Sequence, residues 1–290
     1  MSAGAVTGEE YAWAVARAFG QLSAVRREHI IKLYQVFAQG GLLEEPRRQI
    51  LKMIALYPHK LSERAVPPSI LASKDLSATL ARDYMLLLTG AEGSEPVDFV
   101  GSFVSLAALP ADQVKVLADW VTVENKVLRA MGAGEEWMAD GKDWRELGSR
   151  AAGVGLPVTA LYFAGITGFS AVGLTSGLAF IGGTAGAALV ALGLNPMTAG
   201  IAALIAGGIG VKKIADYALG VPNKKAAAEA ERGRRIEMLV NTVAMLAADR
   251  EALPQLTAGV DVIDPGPRAR LQLAMTEAGE GLRAYSAKSR

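Results

Sequence analysis

The chain has 290 residues, of which 51% are apolar, and its 30 basic and 29 acidic residues leave a net charge of +1. This balance lacks the basic excess of a phosphate-binding face, which argues against a nucleic-acid partner. The absence of cysteine excludes disulfides, thiolate catalysis and cysteine-ligated zinc. The two histidines, His29 and His59, have no second histidine or carboxylate cluster beside them, so we expect neither a metal nor a cofactor.

Residues 1–150 predict an N-terminal helical domain. Thr7 and Glu10 fit a capping box that opens the first helix near Gly8. His29, next to other charged residues, is predicted to be an exposed helix residue. The apolar face that follows His29 is expected to end at Gly40, and the next helix is expected to open at Pro46, after Glu44 and Glu45. Further helices are predicted over Lys74–Thr89, Val97–Leu109 and Ala111–Met131.

An uncharged stretch of sixty-one residues separates Arg150 from Lys212, and fourteen of its residues are glycine and fourteen alanine. One bilayer span needs about 20 apolar residues, so this length suits two short spans. Asn195-Pro196 is a turn signal between them. Positive residues flank both ends, which favours an even number of crossings. Residues 151–220 are therefore predicted to form a hydrophobic, membrane-active hairpin.

Three groups of residues carry this prediction. The side chains expected to enter the bilayer are Leu161, Phe163, Phe169, Leu174, Leu178, Phe180, Leu189, Ile201, Leu204 and Ile205. The small residues expected to bring helices close together are Gly173, Gly177, Gly182 and Gly186. The residues expected at the membrane interface are Trp137, Trp144, Lys212 and Lys213.

Residues 221–290 predict C-terminal amphipathic helices over Lys224–Leu253 and Arg268–Ala287. No strand-period alternation is found along the chain, so the predicted class is all-α, a helical bundle with a central Gly/Ala-rich hydrophobic hairpin. The first thirty residues lack a cationic start followed by an apolar run, so we expect a cytoplasmic protein that associates with or inserts into a membrane.

Two segments resemble known families. The run Gly168–Gly177, Gly-Phe-Ser-Ala-Val-Gly-Leu-Thr-Ser-Gly, resembles the hydrophobic cassette of the small interferon-inducible membrane proteins, and the overall plan resembles helical pore-forming toxins and conflict effectors. Both resemblances imply membrane insertion. Ala38–Glu45 resembles the acidic-glycine turn of TerB-like tellurite-resistance domains. Gln39 stands where that family has an acidic metal-binding residue, so this resemblance implies no metal site here.

No phosphate loop, nucleophile elbow or zincin helix is present in the sequence, so we expect no enzymatic activity. The favoured interpretation is a membrane-inserting, self-associating helical protein of pore-forming or membrane-disrupting, toxin-like type, whose partner is the lipid bilayer. The alternative is a non-catalytic membrane-anchored adaptor or scaffold whose N-terminal helices bind a protein partner. A third interpretation is a helical protein with a Gly/Ala-rich core or lipid-binding cavity that ignores membranes.

Overall fold

The computed structural model describes residues 6–89, 109–135, 141–157, 161, 224–260 and 264–288, with 89, 141–145 and 224–238 described by their main chain alone. Within these ranges the chain is helical and contains no strand, which confirms the all-α class. The helices are α1 Gly8–Ala16, followed by a 3₁₀ turn Arg17–Gln21, α2 Arg27–Gln39, α3 Glu44–Leu56, α4 Pro58–Glu63, α5 Pro68–Ala72, α6 Lys74–Thr89, α7 Ala111–Ala133, α8 Gly141–Gly153, α9 Lys224–Leu256 and α10 Gly266–Lys288. None of these helices is both long enough and apolar enough to cross a bilayer.

Local capping signals place several helix ends where the sequence predicts them. The Thr7 hydroxyl accepts from the Glu10 N–H at 3.1 Å, and the Glu10 carboxylate accepts from the Thr7 N–H at 2.8 Å, which completes the capping box of α1. The Ser73 hydroxyl caps α6 by accepting from the Leu76 N–H at 3.3 Å. These ends were predictable because each depends on residues within one turn of the helix.

Prolines open two short helices that were not predicted from the sequence. Proline often interrupts a helix, which predicts chain breaks at Pro58 and at the Pro67-Pro68 pair, but Pro58 and Pro68 are the first residues of α4 and α5. Proline suits this position because its missing N–H has no intrahelical acceptor there and its φ is already helical. Pro254 likewise lies inside the last turns of α9 instead of ending the helix before it.

Helix α2 lies at the centre of the fold. It contacts α1, α6, α7, α9 and α10, and every residue from His29 to Phe37 is buried. The predicted exposure of His29 is therefore wrong, since its side chain is only 3% exposed. A helix surrounded on all sides has no solvent face, so its polar residues need partners inside the protein.

The helices on both sides of the uncharged stretch build one core. Helices α9 and α10 pack against α2 and α3, and α10 also packs against α7. Leu246 and Leu282, which follow the stretch, belong to the same buried cluster as Ile30 and Trp120, which precede it. The domain boundaries at residues 150 and 220 stay predictions, but the helices before residue 150 pack against the helices after residue 220.

Two glycines bring α7 and α10 into main-chain contact. A Cβ added to Gly281 would lie 2.0 Å from the Gly132 carbonyl oxygen, a distance at which no side chain fits. Two turns later in α10, the Lys288 ammonium donates to the Gly134 carbonyl oxygen at 2.7 Å. Glycine at position 281 is therefore a condition for this close crossing of the two helices.

Candidate functional site

A group of buried charged side chains, which we call the Arg82 cluster, lies where α1, α2, α6 and α7 meet. It comprises Tyr11 from α1, Lys32 from α2, Arg82 and Asp83 from α6, and Glu124 from α7. The four charged members are at most 1% exposed. Four ionisable groups in the core of a helical protein are unusual, because burying a charge costs several kcal/mol unless it is paired.

Asp83 is the acceptor at the centre of the cluster. The Lys32 ammonium lies 2.7 Å from its Oδ1, and Arg82 donates to the same oxygen from Nη2 at 2.5 Å and from Nε at 3.0 Å. The Tyr11 hydroxyl donates to Oδ2 at 2.9 Å. Burial raises the pKa of Asp83, but Arg82 and Lys32 outweigh burial and hold the pKa below its ordinary value.

Glu124 is held less tightly than Asp83. Its Oε2 lies 3.5 Å from Arg82 Nε, a longer contact than any that Asp83 makes. Burial raises the pKa of Glu124, and the opposing effects of Arg82 and Lys32 do not reverse this shift. The cluster therefore contains two carboxyl groups whose pKa values are displaced in opposite directions, because Asp83 has closer cationic partners than Glu124 has.

Arg82 stays charged and connects the cluster to the uncharged stretch. Burial lowers the pKa of Arg82, but Asp83 and Glu124 together raise it above the ordinary value. Its Nη1 donates to the main-chain carbonyl of Leu161 at 2.7 Å, and the Leu161 side chain is fully buried in the core. Leu161 belongs to the residues predicted to enter the bilayer; here it lies against the helical core, and its membrane role stays a prediction.

A second buried group, the Asp249 cluster, ties the segment after the stretch to the segment before it. Asp249 of α9 accepts from Arg47 Nε at 2.9 Å and Nη2 at 3.3 Å, and from the Tyr34 hydroxyl at 3.0 Å. Arg48 Nε lies 3.9 Å away, and Arg47 Nη1 donates to the Leu42 carbonyl at 3.0 Å. Burial first, and Asp249 second, raise the pKa of Tyr34 well above its ordinary value, so its hydroxyl remains a donor.

Neither cluster was predicted from the sequence, although a signal for both is present. Asp83, Glu124 and Asp249 each stand at a helical spacing that continues a buried apolar row, such as Leu246 and Leu253 around Asp249. A charged residue in such a row must find a partner or leave the core. The spacing identifies the residue that needs a partner. Apart from Arg82 beside Asp83, the partners lie on other helices and have no mark in the local sequence.

Most of the predicted membrane residues fall outside the described part of the chain. These are Trp137, Phe163, Phe169, Gly173, Leu174, Gly177, Leu178, Phe180, Gly182, Gly186, Leu189, Asn195, Pro196, Ile201, Leu204, Ile205, Lys212 and Lys213. Trp144 lies in the first part of α8, residues 141–145, of which only the main chain is described. Among the residues that the structure does describe, no group of three or more histidine and acidic side chains is placed to hold a metal ion.

His29 provides a pH-dependent contribution to stability from inside the core. Its Nδ1 accepts from the Arg26 N–H at 3.2 Å, its ring packs edge-to-face against Phe19, and its Nε2 has no hydrogen-bond partner in the described ranges. Burial is the main cause that lowers the pKa of His29 to about 4. The folded protein therefore keeps this imidazole neutral under conditions in which the unfolded chain protonates it.

We expect the His29 contribution to be lost as the pH falls from about 6.5 to 4, because in this window the unfolded chain binds a proton that the folded protein does not. The free energy of unfolding should fall by about 3 kcal/mol across the window. The measurement is denaturant unfolding at several pH values, comparing wild type with His29→Asn, whose amide oxygen can still accept from the Arg26 N–H. The exposed His59 provides the control. His59→Asn should keep the wild-type slope, and a His29→Asn variant with that same slope would refute the assignment.

No protein-family model matches this chain, and no curated protein or solved structure shows detectable similarity to it. The two family resemblances stay interpretations of short segments.

Proposed function

We propose that this chain is a membrane-inserting helical protein. In this proposal the uncharged stretch 151–211 forms a central Gly/Ala-rich hairpin that permeates or disrupts a bilayer, and the helices on both sides carry and position it. The observation that carries the proposal is the contrast in charge: sixty-one consecutive residues have none, whereas the helices that flank them bury paired charges. The proposal includes no catalytic step.

The shared core of the flanking helices constrains how the stretch can enter a membrane. Because α2 and α3 pack against α9 and α10, the chain before the stretch and the chain after it must lie on the same side of any bilayer while this core is intact. An even number of crossings satisfies this condition. This geometry supports the hairpin that the turn signal and the positive flanks predict.

The composition of the stretch supports conditional insertion. Its many glycine and alanine residues bring little apolar area, so transfer into lipid is less favourable than for a leucine-rich span. Small residues also let helices approach closely, which favours self-association in a membrane. A protein that folds around such a segment and releases it into lipid fits this composition better than one that is committed to the bilayer from the start.

The second candidate function is a membrane-anchored adaptor or scaffold. The same-side constraint holds for this function too, because a permanent hairpin would leave the whole helical core on one face of the membrane. The two functions differ in whether the purified protein permeates vesicles, and in whether it needs detergent for extraction.

The test is a vesicle assay that reads binding and permeation together. Protein purified without detergent is mixed with anionic liposomes that contain a fluorescent dye, and flotation and dye release are measured in the same sample. We expect wild type to float and to release dye. Leu174→Arg and Ala203→Asp should each abolish release, because a charge at the bilayer midplane costs about 2.5–3.5 kcal/mol, roughly a 100-fold loss in insertion.

Leu273→Arg is the matched control, since Leu273 is an apolar side chain of α10 that is 61% exposed. Leu273→Arg adds the same positive charge as Leu174→Arg, but on the surface of the helical core, and it should release dye as wild type does. Full release by both variants of the stretch would overturn the proposal. Wild type that requires detergent for extraction and causes no release would establish the anchored adaptor instead.

A further inference from the structure

Arg82 occupies a position between two kinds of partner. On one side its guanidinium contacts the carboxylates of Asp83 and Glu124. On the other side its Nη1 donates to the carbonyl oxygen of Leu161, four residues after Pro157, whose own carbonyl accepts from the Leu161 N–H at 3.0 Å. The Arg82 side chain therefore connects the buried carboxylates of the helical core to Leu161, which lies near the start of the uncharged stretch.

The contact with Leu161 depends on the charge of Arg82. A guanidinium has five N–H donors, and each one that is buried without an acceptor is costly. While Leu161 lies in the core, its carbonyl provides one of these acceptors through a charge-assisted hydrogen bond, which is stronger than a neutral one. If Leu161 leaves, Nη1 loses this acceptor in a place where Arg82 is fully buried.

We infer that the Arg82 cluster is a latch that holds Leu161, and with it the beginning of the uncharged stretch, against the helical core until the stretch enters a bilayer. This inference rests on the proposed function. Asp83, which also pairs with Lys32, keeps the guanidinium in position, and Glu124 is the second carboxylate beside the two cations. Breaking the bond between Arg82 and Leu161 is then a necessary step before insertion.

The test variant is Arg82→Lys, which keeps the positive charge next to Asp83 but removes the guanidinium donor that reaches Leu161. Dye release from anionic liposomes should be roughly tenfold faster than for wild type, because a charge-assisted hydrogen bond that opposes release is lost. Arg150→Lys is the matched control, since Arg150 pairs with Asp119 on the exposed surface. It should release dye at the wild-type rate.

A second control separates the latch from general instability. Gly281→Ala perturbs the crossing of α7 and α10 and does not touch the Arg82 cluster. Dye release by Arg82→Lys and by Gly281→Ala is compared at temperatures equally far below the melting point of each variant. The latch requires faster release from Arg82→Lys than from Gly281→Ala, and equal rates would refute it.

A single thiol at position 161 keeps the inference testable even if Arg82→Lys does not fold. The chain has no cysteine, so Leu161→Cys carries one thiol, which lies in the core while the latch is closed. In the presence of liposomes this thiol must become reactive toward a membrane-permeant maleimide before or together with dye release. Dye release while the thiol stays unreactive would refute the latch and leave the proposed function intact. Absence of both binding and release in wild type and Arg82→Lys would refute the proposed function itself.

Discussion

Replacing Asp249 with asparagine should lower the free energy of unfolding by about 3–5 kcal/mol, because it leaves the Arg47 guanidinium charged and buried without its counter-ion. Asparagine keeps the shape of the side chain, so the loss reports the charge and not a cavity. Denaturant unfolding followed by circular dichroism measures it. Since stabilities of small domains are typically about 5–15 kcal/mol, this loss is a large part of the total.

The control for Asp249→Asn is Glu251→Gln, two residues later on α9, where the side chain is exposed. This change should stay within about 0.5 kcal/mol of wild type. A triple variant that makes the cluster apolar, Tyr34→Phe with Arg47→Met and Asp249→Leu, should recover most of the stability, because no buried charge or hydroxyl is then left unpaired. Wild-type stability in Asp249→Asn would show that the pair does not hold α9 in place.

Replacing Gly281 with alanine should destabilise the protein by about 3 kcal/mol, whereas the same change at Gly279 should be neutral or stabilising. The added methyl at position 281 would lie 2.0 Å from the Gly132 carbonyl oxygen, and main chain can move away only if the two helices separate. At position 279 the nearest atom is Cδ2 of Leu246 at 3.8 Å, which is an ordinary van der Waals distance.

Both glycines lie in α10 and both are buried, so helix propensity acts equally on the two variants and favours alanine by about 1 kcal/mol. The difference between their melting temperatures therefore isolates the steric contact. Thermal unfolding measures it directly. Equal melting temperatures of the two variants would show that α7 and α10 leave room for a methyl group between position 281 and the Gly132 carbonyl oxygen.

The sequence predicts the main helices of the described ranges well because their signals are local. The apolar spacing and the caps at Thr7 and Ser73 act within one or two turns, and the observed helices begin close to the predicted residues. The centre of the fold was less predictable. Ile30, Leu33 and Phe37 indicate one apolar face of α2, but other helices cover its remaining faces too, and His29 and Lys32 are buried with them.

The two ionic clusters could not be predicted from local patterns because their members are far apart in the chain. Tyr34 and Asp249 are 215 residues apart, and Lys32 pairs with Asp83 on a different helix. Periodicity marks the positions of these charges as buried, but only the tertiary arrangement decides which cation meets which carboxylate. The membrane hairpin stays a prediction, and it depends only on the length and the lack of charge of the stretch, which are properties of the sequence.

The distance between Tyr34 and Asp249 also affects the order in which the protein is made. A ribosome adds about 5–20 residues per second, so the 215 residues between them take on the order of 10–40 s to synthesise. Throughout this interval α2 lacks the cover of α9 and α10. The uncharged stretch leaves the ribosome within the same interval, before the helices that complete the core exist. Under the proposed function, folding of the nascent chain and its capture by a membrane compete during translation, and the C-terminal helices end this competition because they complete the core last.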